Sequence, residues 1–246
     1  MKVLVALIVL TVSALPAPAF AGPISFAFTN GSRSALVTFA QSGTNQLLVD
    51  LTNTSMADAL VPTDILTGVF FQIVGNPALT RISATVPVGD EVRTGGTGAI
   101  ITPANRVVGG EWAYKNGISQ VPPNNEGISS SGLSIFGTNE LFPGPDLEPP
   151  ASPDGIQYGI TTAGDNLLTG NGGITGTGLI KKSVHFVLGN FTSQPDAVIA
   201  SVYFQYGTAL DEPGFVGGDV PEPASAALFA IGAAAVVLAY RKRKAS

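Results

Sequence analysis

The sequence predicts an all-β protein, a β-sandwich or jelly-roll-like ectodomain, with an N-terminal signal helix and a C-terminal transmembrane helix. Three observations predict the β-fold. Apolar residues alternate with polar ones in short runs, the period of strands. Turn signals recur at roughly the 8–12-residue spacing of sandwich connections. Glycine (30) and proline (18) make up about a fifth of the 246 residues, and no long run of helical period appears.

The strands are read in order. Over residues 24–29, Ile24, Phe26 and Phe28 share a face; over 35–40, Ala35, Val37 and Phe39 do. Over 46–52, Leu47, Val49 and Leu51 oppose Gln46, Asp50 and Thr52. Ser42, Gly43, Thr44 and Asn45 lie between the last two runs and read as a hairpin turn. Residues 69–74 are apolar on both faces, as a central strand is, and 79–86 is a further strand. Over 184–188, Val184, Phe186 and Leu188 turn inward and His185 is left on the sheet surface. Over 198–206, Val198, Ala200, Val202, Phe204 and Tyr206 form one side.

Residues 116–178 break this rhythm. Pro122, Pro123, Pro143, Pro145, Pro149, Pro150 and Pro153 punctuate them, and 170–178 holds five glycines. Short strands are expected at 133–136 and 155–160, joined by long loops that are functional or loosely ordered. Gly217 and Gly218, after the last strand, read as a flexible spacer.

The ends carry addresses. Lys2, an apolar run over residues 3–14, Pro16 and Pro18, then Ala19, Phe20 and Ala21 form a secretory signal with a small-x-small site. Signal peptidase is expected to cut after Ala21. At the other end, Pro221, Glu222 and Pro223 precede residues 224–240, which hold no charge. Arg241, Lys242, Arg243 and Lys244 close that span as a cytoplasmic basic stop. Seventeen residues of helix reach about 26 Å, the lower limit for a bilayer. The organisation is therefore a signal peptide (1–21), an exported β-rich ectodomain (22–219) and a sorting segment (220–246).

This C-terminal arrangement of motif, span and basic tail resembles the PEP-CTERM sorting signal of Gram-negative and related bacteria. The resemblance implies an exosortase, a membrane peptidase that cuts near Pro221, Glu222 and Pro223, so these residues are substrate features. It also implies a transient membrane anchor, then release or transfer to the cell surface or extracellular polysaccharide. Within the ectodomain, residues 51–55, 62–71, 127–133 and 205–208 resemble a recurrent ectodomain family among exosortase-dependent surface proteins, one without a defined activity.

Composition excludes much chemistry. There is no cysteine, hence no disulfide, thiolate metal site or thiol nucleophile, and one histidine, His185. The net charge is −5, which argues against nucleic acid as a partner. Ser129 and Ser131 between Gly127 and Gly132 miss the G-x-S-x-G spacing by one residue. Acidic residues beside Gly, Pro or Asn read as solvated loop positions. Loop oxygens could hold a structural calcium, but no D-x-[DN]-x-[DN]-G loop occurs, and neither cofactor nor metal is expected. Trp112 and Tyr114, two apart, share a strand face. Buried, they are core; exposed, they would form a stacking platform for sugar rings.

The expected function is that of a non-enzymatic exported surface or matrix protein associated with exopolysaccharide or biofilm. The alternatives are a carbohydrate-binding module of the envelope and, behind it, a secreted hydrolase.

Overall fold

The computed structural model describes residues 22–136, 147 and 155–220. The chain opens with β1 (Ile24–Asn30), β2 (Arg33–Ser42) and β3 (Gln46–Asn53), an antiparallel meander. Gly43 and Asn45, both at positive φ, make the turn between β2 and β3. Next come β4 (Leu66–Ile73), β5 (Thr80–Thr85), β6 (Glu91–Thr94), β7 (Ala113–Asn116), β8 (Glu126–Ser129) and the two-residue β9 (Ile160–Thr161). The last are β10 (Gly178–Lys181), β11 (Ser183–Gly189), β12 (Ile199–Tyr206), β13 (Gly214–Val216) and β14 (Gly218–Val220). One helical turn, Pro195–Val198, leads into β12.

These strands form two sheets. The first runs β14-β1-β2-β3-β11-β5; the second runs β13-β12-β4-β9-β10-β6, with β8 on β4 and β7 on β8. Alternation does the packing. Val37, Phe39, Leu47, Val49, Leu51, Val184, Phe186 and Leu188 from the first sheet share one core with Val69, Phe71, Val202 and Phe204 from the second. The rings of Phe39 and Phe71 meet across it at 5.0 Å. The sandwich is the predicted all-β fold.

The Pro- and Gly-rich middle is a covering layer. β4 is buried on both faces because Phe70, on its outer side, is roofed by Ile118, Leu133, Ile135 and Phe136. A third cluster, Ile65, Ile156, Leu167, Ile174 and Leu179, seals the neighbouring surface. The two glycine-rich turns interlock: a Cβ on Gly95 would lie 2.0 Å from the Ile174 carbonyl oxygen, and the Gly95 and Gly176 backbones exchange contacts through Gly176 N–H to Gly95 C=O at 2.9 Å.

Four expectations are corrected. Residues 133–136 are a turn, not a strand, with Leu133 and Ser134 at positive φ. Residues 155–158 are likewise a turn, and only Ile160 of the expected 155–160 strand is extended. A register shift between Ile199 and Ser201 turns Ala200 out to solvent and puts Ile199 inside, so the strict alternation expected from Val198 fails at its start. Gly217 and Gly218 do not form a spacer: they join two strands, and Val220 belongs to the sheet. The signal segment 1–21 and residues 221–246 lie outside the described residues. Among the described residues no helix is long and apolar enough to cross a membrane.

Candidate functional site

The end of the ectodomain is built by one kinked strand. β13 is the edge of the second sheet, pairing Phe204 with Phe215. One residue later the chain is the edge of the first sheet, where β14 pairs Ser25 with Val220, Phe26 with Asp219 and Ala27 with Gly218. Gly217 makes the switch. Its N–H donates to the Val202 carbonyl at 2.9 Å, and a Cβ there would stand 2.9 Å from Phe204 Cε2 and 3.2 Å from Phe26 Cβ. Phe215 fixes β13 through its stacking on Phe28 and an edge contact with Tyr206. β14 has no such anchor; its three residues are exposed. Because β1 and β14 are antiparallel, Ser25 near the start of β1 and Val220 at the end of β14 lie at the same end of the sheet. The next residue is Pro221.

A second group of residues is a buried polar seam. Thr67 Oγ1 donates to the Gly207 carbonyl at 2.5 Å, the Ser130 N–H to the Thr67 carbonyl at 2.8 Å, and Ser131 Oγ to the Thr208 carbonyl at 3.4 Å. Ser129 Oγ lies 2.7 Å from the Ser131 carbonyl and accepts the Ser131 N–H. Thus the 62–71, 127–133 and 205–208 stretches meet here. Ser129, Ser130 and Ser131 have no exposed surface, and their hydroxyls are occupied by backbone groups.

The third is a carboxylate that sequence reasoning missed. Glu126 stands on β8 between Asn125 and Gly127, the company of a solvated loop residue, yet it is completely buried. Its Oε2 accepts the Tyr114 hydroxyl at 2.6 Å; its Oε1 has no partner among the described residues. Burial pushes the Glu126 carboxyl up to about 7, against the opposing effect of the Tyr114 hydrogen bond. The Tyr114 phenol is raised by burial and by Glu126. A cleft of about 670 Å³ opens beside it, with Arg81 and Lys115 on its wall. The Lys115 ammonium donates to the Ile135 carbonyl at 2.7 Å. Period-two spacing from Ile128 was the available signal, since it aims Glu126 at the core.

Trp112 and Tyr114 do share a side, as their spacing predicts, but it is the inner one. Trp112 is wholly buried against Phe186 at 4.9 Å, and Tyr114 is buried beside Glu126. Neither offers an exposed face, so of the two readings the buried one holds: they are core, not a stacking platform. His185 is on the sheet surface as expected, with Nε2 3.2 Å from Asp50 Oδ2 on the neighbouring strand. Among the described residues no three His, Asp or Glu side chains are grouped to hold a metal ion. Ala19, Ala21, Pro221, Glu222, Pro223, Arg241, Lys242, Arg243 and Lys244 lie outside the described residues.

Residues 219–244 match the family model of the PEP-CTERM protein-sorting motif. The protein is a β-sandwich that carries a PEP-CTERM sorting signal, whose match begins at Asp219, within the last strand among the described residues. That signal implies export, an exosortase as processing partner and sorting to the cell surface. No curated protein and no solved structure matches the chain.

Proposed function

We propose that this is a non-enzymatic surface or extracellular-matrix protein, delivered by signal peptidase and an exosortase and retained in exopolysaccharide. The observation that carries the reading is the position of the sorting motif, whose Pro221 follows β14, the last strand among the described residues. Other features support it. The region 22–220 holds seven basic and sixteen acidic residues, a net charge of −9 that keeps an exported domain soluble. With no cysteine, the fold needs no disulfide oxidant or disulfide isomerase. The Ser129–Ser131 hydroxyls serve backbone carbonyls and amides, which is a structural use.

The test is fractionation of the full chain in a host with its exosortase and in the same host lacking it. The reading expects a shortened form at the surface or in the matrix only where the enzyme is present. It also expects Glu222→Ala to leave full-length precursor in the membrane. Equal fractionation in the two hosts, or an unchanged precursor ratio in E222A, would overturn it. Incubating the purified protein with the matrix polysaccharide should release no new reducing ends.

A further inference from the structure

We propose that β14 is a releasable strand: Gly218, Asp219 and Val220 leave β1 and join the segment that the sorting peptidase binds. The inference rests on the reading of residues 224–240 as a membrane anchor and of Pro221, Glu222 and Pro223 as the recognised motif.

Reach is the first argument. Three residues separate Val220 from the start of the uncharged segment, and three extended residues cover at most about 10 Å. With β14 docked, those three residues are all the chain that lies between the sheet edge and the anchor. A peptidase that takes its substrate as an extended chain needs free main-chain N–H and C=O groups beside the motif. On one side of β14 those groups are held by β1.

The construction of the strand is the second argument. Among the described residues, the ring contact and the glycine hydrogen bond that tie this end of the fold to the core lie before Gly218. Phe215 stacks on Phe28, and Gly217 is hydrogen-bonded to Val202 where a Cβ would stand 2.9 Å from Phe204 Cε2. After Gly217 the residues are exposed, and Gly218 has only the Ala27 carbonyl oxygen, 3.9 Å away, near its would-be Cβ. Peeling β14 back to Gly217 therefore breaks a three-residue ladder whose own residues are exposed. It adds about another 10 Å of free chain. Gly217 is the point at which release stops.

The test uses the absence of native cysteine. Ser25 and Val220 face each other across the ladder, at a Cα spacing of roughly 4.5–5.5 Å that a disulfide can bridge. The full chain with Ser25→Cys and Val220→Cys is expressed beside each single variant in the exosortase host. Oxidised double variant should accumulate as precursor, while both single variants and the reduced double variant are processed. A second variant adds six Gly/Ser residues between Val220 and Pro221 of the double variant; it supplies the reach from elsewhere and should restore processing under oxidation. Normal processing of the crosslinked chain would overturn the release of β14 and leave the sorting reading intact. Failure of the insertion to restore processing would also overturn it. If wild type is not processed in that host, or E222A is processed as well as wild type, the sorting reading fails and the inference with it.

Discussion

Phe28 and Phe215 stack face to face, ring centroids 4.5 Å apart and planes 12° from parallel. One ring comes from the first strand of the ectodomain and the other from its penultimate strand, so the contact ties the beginning of the fold to its end. Phe204 and Tyr206 on β12 pack against the Phe28 ring at 5.1 and 5.9 Å. Phe215→Ala should remove the aromatic that holds β13. A fully buried Phe costs about 3–5 kcal/mol when truncated, and this half-buried one about 2–3. At this size that lowers the thermal midpoint by roughly 5–10 °C. Val216→Ala, at a position 74% exposed, should leave the midpoint in place. Equal midpoints for the two variants would refute the assignment.

The two adjacent glycines should behave differently. Gly217→Ala brings a methyl to 2.9 Å from Phe204 Cε2, so β13 or the Phe204 ring must move. Gly218→Ala meets nothing closer than 3.9 Å. Thermal unfolding should show a clear loss for the first and little change for the second. If both tolerate alanine, Gly217 is not the fixed switch between sheets.

Glu126 sets a pH dependence. Its carboxyl rises from 4.5 to about 7 on folding, so the fold favours its protonated form. The contribution is fully present below pH 4.5 and is lost as pH rises toward 7. Asp165, also raised by burial, adds a change of the same sign. The thermal midpoint should therefore fall between pH 4.5 and 7, and Glu126→Gln should flatten much of that fall. An unchanged slope in E126Q would assign the pH dependence elsewhere.

Truncation separates the fold from its sorting segment. A chain ended after Val220 should keep a β-type far-UV spectrum, insensitive to reductant. One ended after Pro213 loses β13 and β14 and opens the Phe28, Phe204 and Tyr206 cluster to water. A lower midpoint, or loss of folding, is expected for the shorter chain alone.

The basic tail tests the anchor. Neutral residues at Arg241, Lys242, Arg243 and Lys244 remove the stop for translocation, so a weakly apolar span should slip outward and membrane retention of the precursor should fall. Unchanged fractionation would count against the span.

Much of this fold is legible in the sequence because one force writes both. Where a strand has one buried face, as in β2, β3 and residues 184–188 of β11, alternation is strict and the predicted inward residues are the buried ones. Legibility fails where a local backbone irregularity intervenes. The shift near Ala200 reverses the face of one residue without altering composition. Tyr158 and Leu133, at positive φ, turn runs of strand-like residues into turns. It fails again where distant segments meet: the fit of Gly95 against Ile174 and the switch at Gly217 are properties of pairs that no local window contains. Glu126 was hidden by its neighbours, since Asn125 and Gly127 suggest a solvated loop while its cross-strand partners are Phe71 and Asn116. The sorting motif is legible for the opposite reason. It is contiguous, so its pattern stands whole in the sequence without any folding.

The pairing of Ser25 with Val220 makes the ectodomain nearly a closed ring of chain with a single gap. A ring can be opened elsewhere. A circular permutant that joins the two ends by a short glycine linker and starts between Gly43 and Thr44, in the β2–β3 turn, should reach the same sandwich. It would bear its new ends at the turn in place of the β1–β14 edge. In such a molecule Pro221 would no longer follow a strand end, so stability and sorting, joined at one residue in the native order, could be moved independently.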